Sequence, residues 1–172
     1  HRLTASGIDV PVGMKNPTSG DYTVMLNSCV AAQASHTFMF SGYETKTDGN
    51  PLAHCILRGS LSKSGRSLSN YHYEDLKLLA DMYDNYNLVN HACIVDANHN
   101  NSGKRWDEQP RIVNEIMMNR RYSESVCKLV KGVMIESYIE DGNQPIGGGC
   151  YGKSITDPCL GWEKSERLLM DM

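Results

Sequence analysis

Short apolar runs alternate with amphipathic segments along this chain, and that alternation limits its possible folds more than any other feature. Residues 53–57, 92–95 and 132–135 are apolar at nearly every position. Such runs are typical of strands that are buried on both faces. Strands of this kind, alternating with helices, form a parallel sheet covered by helices. The sequence therefore predicts the α/β class, with a sheet that is either doubly wound or closed into a barrel.

The segments between the runs have apolar side chains three and four residues apart, which is the spacing of a helix. Ser69 is the predicted N-cap of the second helix, and Pro110 lies in the first turn of the third, where proline is tolerated. A further apolar run, at residues 10–14, precedes the first helix, so four strand-to-helix units are visible. The predicted helices span residues 21–34, 71–86, 109–121 and 162–172.

An insertion is predicted between the first helix and the second strand of the sheet. Residues 37–40 and 53–57 are both expected to be extended, and a polar segment separates them. That segment contains Asp48-Gly49, a dipeptide that favours tight turns. We interpret the region as a hairpin that leads into a strand.

A charged or ligating residue follows each apolar run, namely Lys15, Arg58, His99 and Glu136. In a β/α barrel of the TIM type, the working residues converge from the carboxyl ends of different strands. This placement favours a barrel over a doubly wound sheet. A closed eight-stranded barrel takes about 250 residues. We therefore expect residues 1–172 to be a single domain, the C-terminal half of a (β/α)8 barrel with four β/α units.

Composition limits the classes of binding partner and the cellular compartment that can be expected. The formal net charge of -3 and the pI near 6.1 offer no basic field for nucleic acid. No apolar run approaches the roughly 20 residues that a membrane helix requires, and the first residues do not form a signal peptide. Six cysteines without a CxxC pair favour reduced thiols. We expect a cytoplasmic protein that acts on small molecules.

Three residues form a candidate metal-binding set. His99, Glu136 and Asp157 supply one imidazole and two carboxylates, which suit Mn, Fe, Co or Zn. They lie far apart in the sequence and form no local metal motif. Taken singly, they also fit a loop histidine, a solvated carboxylate and a turn residue. Glu136 is the hardest to dismiss, because a carboxylate that ends a buried strand needs a partner.

Lys15 and Arg58 each end an apolar run, at a position where a cation can bind phosphate or carboxylate inside a cleft. A structural salt bridge at the rim of the sheet is an equally good interpretation. The other cations are interpreted as solvated side chains, including Lys63, Arg66, Lys104, Arg105, Arg120 and Arg121.

Five stretches carry a resemblance to a known family: HRLTASGIDVPVGMKN, HCILRG, DANHNNSGK, GVMIESYIEDGNQ and YGKSITDPCLGW. Together they resemble the class I, metal-dependent 3-deoxy-D-arabino-heptulosonate 7-phosphate (DAHP) synthases of the first step of the shikimate pathway. The resemblance implies a β/α barrel that condenses phosphoenolpyruvate with erythrose 4-phosphate. It also implies a divalent metal, with Mn expected first.

By this resemblance, Lys15 and Arg58 would hold the carboxylate and phosphate of phosphoenolpyruvate. His99, Glu136 and Asp157 would ligate the metal, Asp157 would also lie close to the aldehyde substrate, and His99 would help position water. The family's fourth metal ligand, a cysteine on an early strand, has no counterpart in these residues. Its Lys-Pro-Arg-Ser/Thr segment, which holds erythrose phosphate, has none either.

Without the fourth metal ligand and the Lys-Pro-Arg-Ser/Thr segment, alternative assemblies and functions stay open. A half-barrel has unpaired strand edges, so we expect a homo-oligomer or pairing with a missing N-terminal half. One alternative function is a catalytically inactive remnant or interaction module. Another is a metal-dependent barrel hydrolase, which would need no aldehyde partner.

Overall fold

A four-stranded parallel sheet forms the centre of the computed structural model, which describes residues 1–172. Neighbouring strands pair in the order in which they follow one another along the chain. Met14 lies opposite Cys55, and Cys55 lies opposite Cys93. The parallel sheet predicted from the apolar runs is confirmed. Numbered in chain order, its strands are β1 (Gly13–Lys15), β4 (His54–Leu57), β7 (Cys93–Asp96) and β8 (Val130–Met134).

Four of the seven helices lie where the apolar periodicity predicts them. The six-residue α6 was not predicted, because it is too short for a periodic pattern to emerge. It begins with the side chain of Ser123 accepting a hydrogen bond from the Val126 amide. The helices are α1 (Arg2–Ala5), α2 (Tyr22–Gln33), α3 (Tyr73–Asp84), α4 (His99–Ser102), α5 (Gln109–Tyr122), α6 (Glu124–Leu129) and α7 (Trp162–Asp171).

The main core lies between the sheet and the long helices. Each fully buried aliphatic or aromatic side chain contributes about 1.5–3 kcal/mol relative to an exposed one. Because the core fixes the strands, it also fixes where the loops at their carboxyl ends begin. The core includes Met25, Leu26, Cys55, Leu57, Leu76, Leu79, Tyr83, Cys93, Val95, Ile112, Ile116, Val126 and Val130.

The hairpin turns at a different place from the one predicted. Strand β2 (His36–Phe40) pairs with β3 (Tyr43–Thr47), and the chain reverses at Ser41 and Gly42, both with positive φ. The mostly polar β3 has no apolar run to mark it as a strand in the sequence. Gly49 is needed for another reason, since a Cβ there would lie 2.2 Å from the carbonyl oxygen of Gln33.

Helix α3 also begins later than predicted. Its N-cap residue is His72, whose side chain makes no capping hydrogen bond. Ser69 is not the cap, and its Oγ lies 2.9 Å from His72 Nε2. The intervening Asn70 is held in a loop, because its amide donates to Asn101 Oδ1 at 2.8 Å. This long-range hydrogen bond delays the start of the helix.

The remaining strands are a short antiparallel pair, β5 (Ser60–Leu61) and β6 (Ser67–Leu68), in the connection between β4 and α3. All six cysteines are free thiols, and four of them are buried. None of the helices combines the length and the apolarity that crossing a membrane would demand.

Candidate functional site

The candidate residues are carried by the segments that follow the four sheet strands. Lys15 ends β1, Arg58 directly follows β4, His99 opens α4 after β7, and Glu136 lies two residues beyond β8. Parallel neighbouring strands end at the same edge of a sheet. Asp157 reaches this edge from the irregular segment between β8 and α7. Residues that are far apart in the sequence are thus brought to one edge.

His99, Glu136 and Asp157 meet in space. His99 Nδ1 lies 3.4 Å from Glu136 Oε1, and His99 Nε2 lies 3.8 Å from Asp157 Oδ2. One potential ligand atom from each residue lies within 4.8 Å of the other two. The three side chains are between 17% and 29% exposed. One imidazole and two carboxylates at this spacing fit a divalent transition metal.

Asp96, the last residue of β7, is fully buried beside this cluster. Its Oδ2 accepts a hydrogen bond from Lys15 Nζ at 2.9 Å, and its Oδ1 accepts one from the Asn98 amide at 2.9 Å. Oδ2 also lies 2.7 Å from His99 Nδ1. That contact is not aligned as a hydrogen bond, so the buried Nδ1 has no hydrogen-bond partner. The negative charge of Asp96 therefore lies next to both a candidate ligand and a candidate cation.

His99 has an unusual backbone conformation for a non-glycine residue. Its φ is 39°, and such conformations cost of order 1–3 kcal/mol each. Nearby hydrogen bonds stabilise the segment: the Asn100 amide donates to the Arg58 carbonyl at 3.1 Å, and Asn101 Nδ2 donates to the Asp96 carbonyl at 2.7 Å. Strained residues of this kind are concentrated at functional sites.

Glu136 is held through its main chain by Gln109, which is fully buried. Gln109 Nε2 donates to the Glu136 carbonyl at 3.0 Å, while its Oε1 accepts from the Glu136 amide at 2.8 Å. The Leu160 amide also donates to the Glu136 carbonyl, at 2.8 Å. The side chain of Glu136 is thus carried by a fixed backbone. Sequence analysis identified Gln109 only as the start of a helix and missed this role.

Asp157 has a cationic partner. Lys104 Nζ donates to Asp157 Oδ1 at 2.8 Å, and this hydrogen bond is the main reason that the pKa of Asp157 is lowered. Lys104 is more than half exposed, in line with its interpretation as a solvated side chain, but that interpretation did not include this ion pair. The two residues are far apart in the chain, so only the tertiary packing reveals the pair.

The two candidate anion-binding cations differ in their surroundings. Lys15 forms an ion pair with Asp96, so the salt-bridge interpretation holds for part of its role. Arg58 forms no ion pair, and its buried Nε has no hydrogen-bond partner. Its amide donates to Oδ1 of the buried Asn16 at 2.9 Å, which fixes the start of its loop. An unpartnered guanidinium nitrogen at the carboxyl end of a sheet strand fits a site for an anion.

Fold and site together define an α/β protein with a parallel sheet and a three-ligand candidate metal centre at the carboxyl ends of its strands. A sequence model of the DAHP synthetase I family matches residues 1–170. The chain therefore belongs to this family, and the resemblance inferred from the five sequence stretches is confirmed.

Individual relatives agree with this assignment. The protein named phospho-2-dehydro-3-deoxyheptonate aldolase, Trp-sensitive, from Escherichia coli O6:H1 is 37% identical over 177 residues. Its namesake from Enterobacter agglomerans is 38% identical. Each alignment covers 98% of this chain and 48% of the relative. The chain thus spans about half the length of the curated relatives it matches.

A solved structure shares the fold. Phospho-2-dehydro-3-deoxyheptonate aldolase from Francisella tularensis SCHU S4 superposes with a TM-score of 0.85 at 29% identity. The superposition covers 99% of this chain and 49% of that protein. The arrangement of strands and helices described above is therefore shared with a protein of the same family.

Proposed function

We propose that this chain supplies the metal-binding and phosphoenolpyruvate-binding part of a 3-deoxy-7-phosphoheptulonate synthase. This enzyme condenses phosphoenolpyruvate with erythrose 4-phosphate in the first step of the shikimate pathway, which leads to the aromatic amino acids. The observation that carries the proposal is the convergence of His99, Glu136 and Asp157 within 4.8 Å. Family membership supports it.

The proposed architecture is half of a (β/α)8 barrel of the TIM type, with residues 1–172 as one domain. The strand order β1-β4-β7-β8 supports this, because it follows the chain without reversal. A doubly wound sheet reverses its strand order at a switch point. The outer strands β1 and β8, which form the two lateral edges of the sheet, have no further strand beside them. We propose that a further set of β/α units, or a second copy of the chain, covers these edges.

In this proposal, His99, Glu136 and Asp157 hold a divalent cation: Mn, or alternatively Fe, Co or Zn. When bound, such a cation acts as a Lewis acid toward the aldehyde oxygen of erythrose 4-phosphate. The donor set fits the cation in its chemistry and in its partial burial. Gln109 supports this assignment by fixing the backbone that carries Glu136.

Lys15 and Arg58 would bind phosphoenolpyruvate through its carboxylate and phosphate. An ammonium group has three N–H donors, and Lys15 uses one of them on Asp96, so two remain for an anion. Arg58 keeps an unpaired guanidinium nitrogen. Together they would orient the enol carbon toward the aldehyde near Asp157, which is the main contribution of substrate-positioning groups.

The reaction forms a bond between the enol carbon of phosphoenolpyruvate and the aldehyde carbon. Water adds to the carbon that bears the phosphate, and inorganic phosphate then leaves. We assign His99 a second role in positioning this water, since its ring lies between the two carboxylates of the cluster.

An assay of phosphoenolpyruvate consumption tests the proposal. The chain is combined with a separately produced N-terminal half of a family member. We expect consumption only when erythrose 4-phosphate is present, loss of activity with EDTA, and restoration by Mn²⁺. Inertness of the combined halves would indicate an inactive remnant or interaction module. Phosphate release without the aldehyde would instead indicate a metal-dependent hydrolase.

A further inference from the structure

Asp157 is the one candidate ligand that lies on a long irregular segment. His99 is the first residue of α4, which begins shortly after β7, and the main chain of Glu136 is hydrogen-bonded to Gln109. The segment from β8 to α7 contains only isolated β-bridges. A side chain on such a segment needs a tether if it is to occupy one position. Lys104 is the only hydrogen-bond donor to the Asp157 carboxylate.

The two oxygens of Asp157 have different neighbours. Lys104 Nζ donates to Oδ1 at 2.8 Å, whereas Oδ2 is the oxygen nearest to the imidazole, 3.8 Å from His99 Nε2. The ammonium group therefore leaves free the oxygen closest to the His99 imidazole. A cation that merely substituted for the metal would instead be expected on Oδ2, between the ligands.

The backbone of Lys104 is constrained as well. Lys104 has a φ of 62°, directly after Gly103, which also has a φ of 62°. A lysine in this left-handed region costs roughly 1–2 kcal/mol. The Lys104 amide donates to the His99 carbonyl at 2.8 Å, so the short segment that carries one ligand also carries the tether of another. An energetically costly conformation held in this way indicates a constrained position.

We propose that Lys104 is a positioning residue of the metal centre. Its ammonium group fixes the Asp157 carboxylate so that Oδ2 faces His99 and Glu136. The inference rests on the proposed function to the extent that these three residues bind a divalent cation. Hydrogen-bond partners of metal ligands typically contribute 10–100-fold to metal affinity. Lys104 is more than half exposed, so solvent screens its repulsion of the cation, and the positioning effect dominates.

Mn²⁺ titration of the full chain, followed by the electron paramagnetic resonance signal of free Mn²⁺, tests the inference. We expect Lys104→Met to weaken Mn²⁺ binding about 10–100-fold. Lys104→Arg should keep most of the affinity, because it restores a charged donor. The matched control is Lys128→Met, which removes the same charge from the exposed ion pair with Glu124. This control should bind Mn²⁺ like the unmodified chain.

A second measurement separates positioning from a general structural role. The thermal unfolding midpoint without metal should be the same for Lys104→Met and the unmodified chain, because the Lys104 side chain is more than half exposed and ion pairs with an exposed partner contribute little to stability. If the midpoint of Lys104→Met is lowered, general destabilisation explains its weaker Mn²⁺ binding, and the inference is overturned. Unchanged or tighter Mn²⁺ binding in Lys104→Met would overturn it too, the latter by identifying Lys104 as a competitor of the metal.

The same titration distinguishes this inference from the proposed function. If the unmodified chain binds Mn²⁺ and Glu136→Gln abolishes binding while Lys104→Met does not weaken it, the metal centre stands and the role of Lys104 is refuted. If the unmodified chain binds no Mn²⁺, the proposed metal centre is refuted, and the inference with it.

Discussion

Lys15 Nζ donates a hydrogen bond to Asp96 Oδ2 at 2.9 Å and so joins the ends of β1 and β7. Asp96 is fully buried, whereas the side chain of Lys15 is 32% exposed. Leaving a buried carboxylate without a partner is strongly unfavourable. The lysine therefore neutralises Asp96, and in the proposed function its two remaining donors are available to the substrate anion. Because Asp96 Oδ2 also lies 2.7 Å from His99 Nδ1, one carboxylate links the proposed anion and metal sites.

Because of this pairing, we expect Lys15→Met to lower the free energy of unfolding as well as to weaken ligand binding. Removal of one partner of a buried pair costs about 3–5 kcal/mol. The partial exposure of Lys15 reduces this, so we expect roughly 1–3 kcal/mol, measured by urea unfolding. Asp96→Asn should recover part of the loss when it is combined with Lys15→Met, because the unpaired charge is then gone. Additive losses in the double variant would contradict a direct pair.

Arg58→Met, unlike Lys15→Met, should weaken phosphoenolpyruvate binding without a large loss of stability. Arg58 has no ion-pair partner in the protein and an unpaired Nε, so this change should leave the free energy of unfolding within about 1 kcal/mol. Phosphoenolpyruvate binding, measured by calorimetry, should nevertheless weaken in both variants. Loss of Mn²⁺ binding without loss of phosphoenolpyruvate binding would show that the assigned roles are wrong.

Glu136→Gln should abolish retention of the metal while leaving the fold intact. The substitution neutralises a proposed ligand, but the main chain at this position stays hydrogen-bonded to Gln109 and Leu160. Metal content after gel filtration and the far-ultraviolet circular dichroism spectrum measure the two effects. Glu124→Gln, on the exposed face of α6, is the control. Undiminished Mn²⁺ binding in Glu136→Gln would count against the site.

Gln109→Leu should both destabilise the protein and weaken metal binding. The leucine leaves the amide of Glu136 without its partner, and unsatisfied buried groups cost about 1–3 kcal/mol each. We expect a loss of about 1–3 kcal/mol in urea unfolding. Mn²⁺ affinity should fall because Glu136 is then carried by a looser backbone. Stability loss with unchanged Mn²⁺ affinity would restrict Gln109 to a structural role.

We expect Asp75, which lies outside the candidate site, to make the stability of the protein depend on pH. Burial is the main cause that raises the pKa of this carboxyl group above its ordinary value. The folded state therefore binds its proton more tightly than the unfolded state does. Its contribution to stability is fully present below the ordinary pKa of about 3.9 and is lost as the pH rises through the raised value.

Asp75→Asn removes the charge that burial disfavours. The variant should be more stable than the unmodified chain at pH 7, and this advantage should disappear near pH 3. Urea unfolding between pH 3 and pH 7 measures the difference. Glu74→Gln is the matched control, because Glu74 lies beside Asp75 in the first turn of α3. A constant difference across this pH range would show that Asp75 titrates normally.

Local patterns in the sequence were sufficient for the sheet, the long helices and the family. Strands buried on both faces must be apolar throughout, and helices must bury one stripe, so both leave a period in the sequence. Direction adds more: because parallel strands end at the same edge, the residues that follow them share that edge. The positions of Lys15, Arg58, His99 and Glu136 after the strands follow from this alone.

Elements without a strong local pattern escaped prediction. Strand β3 is polar and largely exposed, so it lacks an apolar signal, and the hairpin turn was sought at Asp48-Gly49. The start of α3 was misplaced because the Asn70 amide donates to Asn101, a residue of α4. In both cases contacts within the folded chain outweighed the local preference of the sequence.

The sequence by itself determined the α/β class, the family and the five candidate site residues, whose assigned roles remain predictions. Only the tertiary structure decided which side chains support them: Asp96 beside Lys15 and His99, and Lys104 on Asp157. A periodic pattern identifies the face on which a residue lies but not the residue across from it. Ion pairs and hydrogen bonds require separations of a few ångströms between atoms, and only the packing of the whole chain sets those separations.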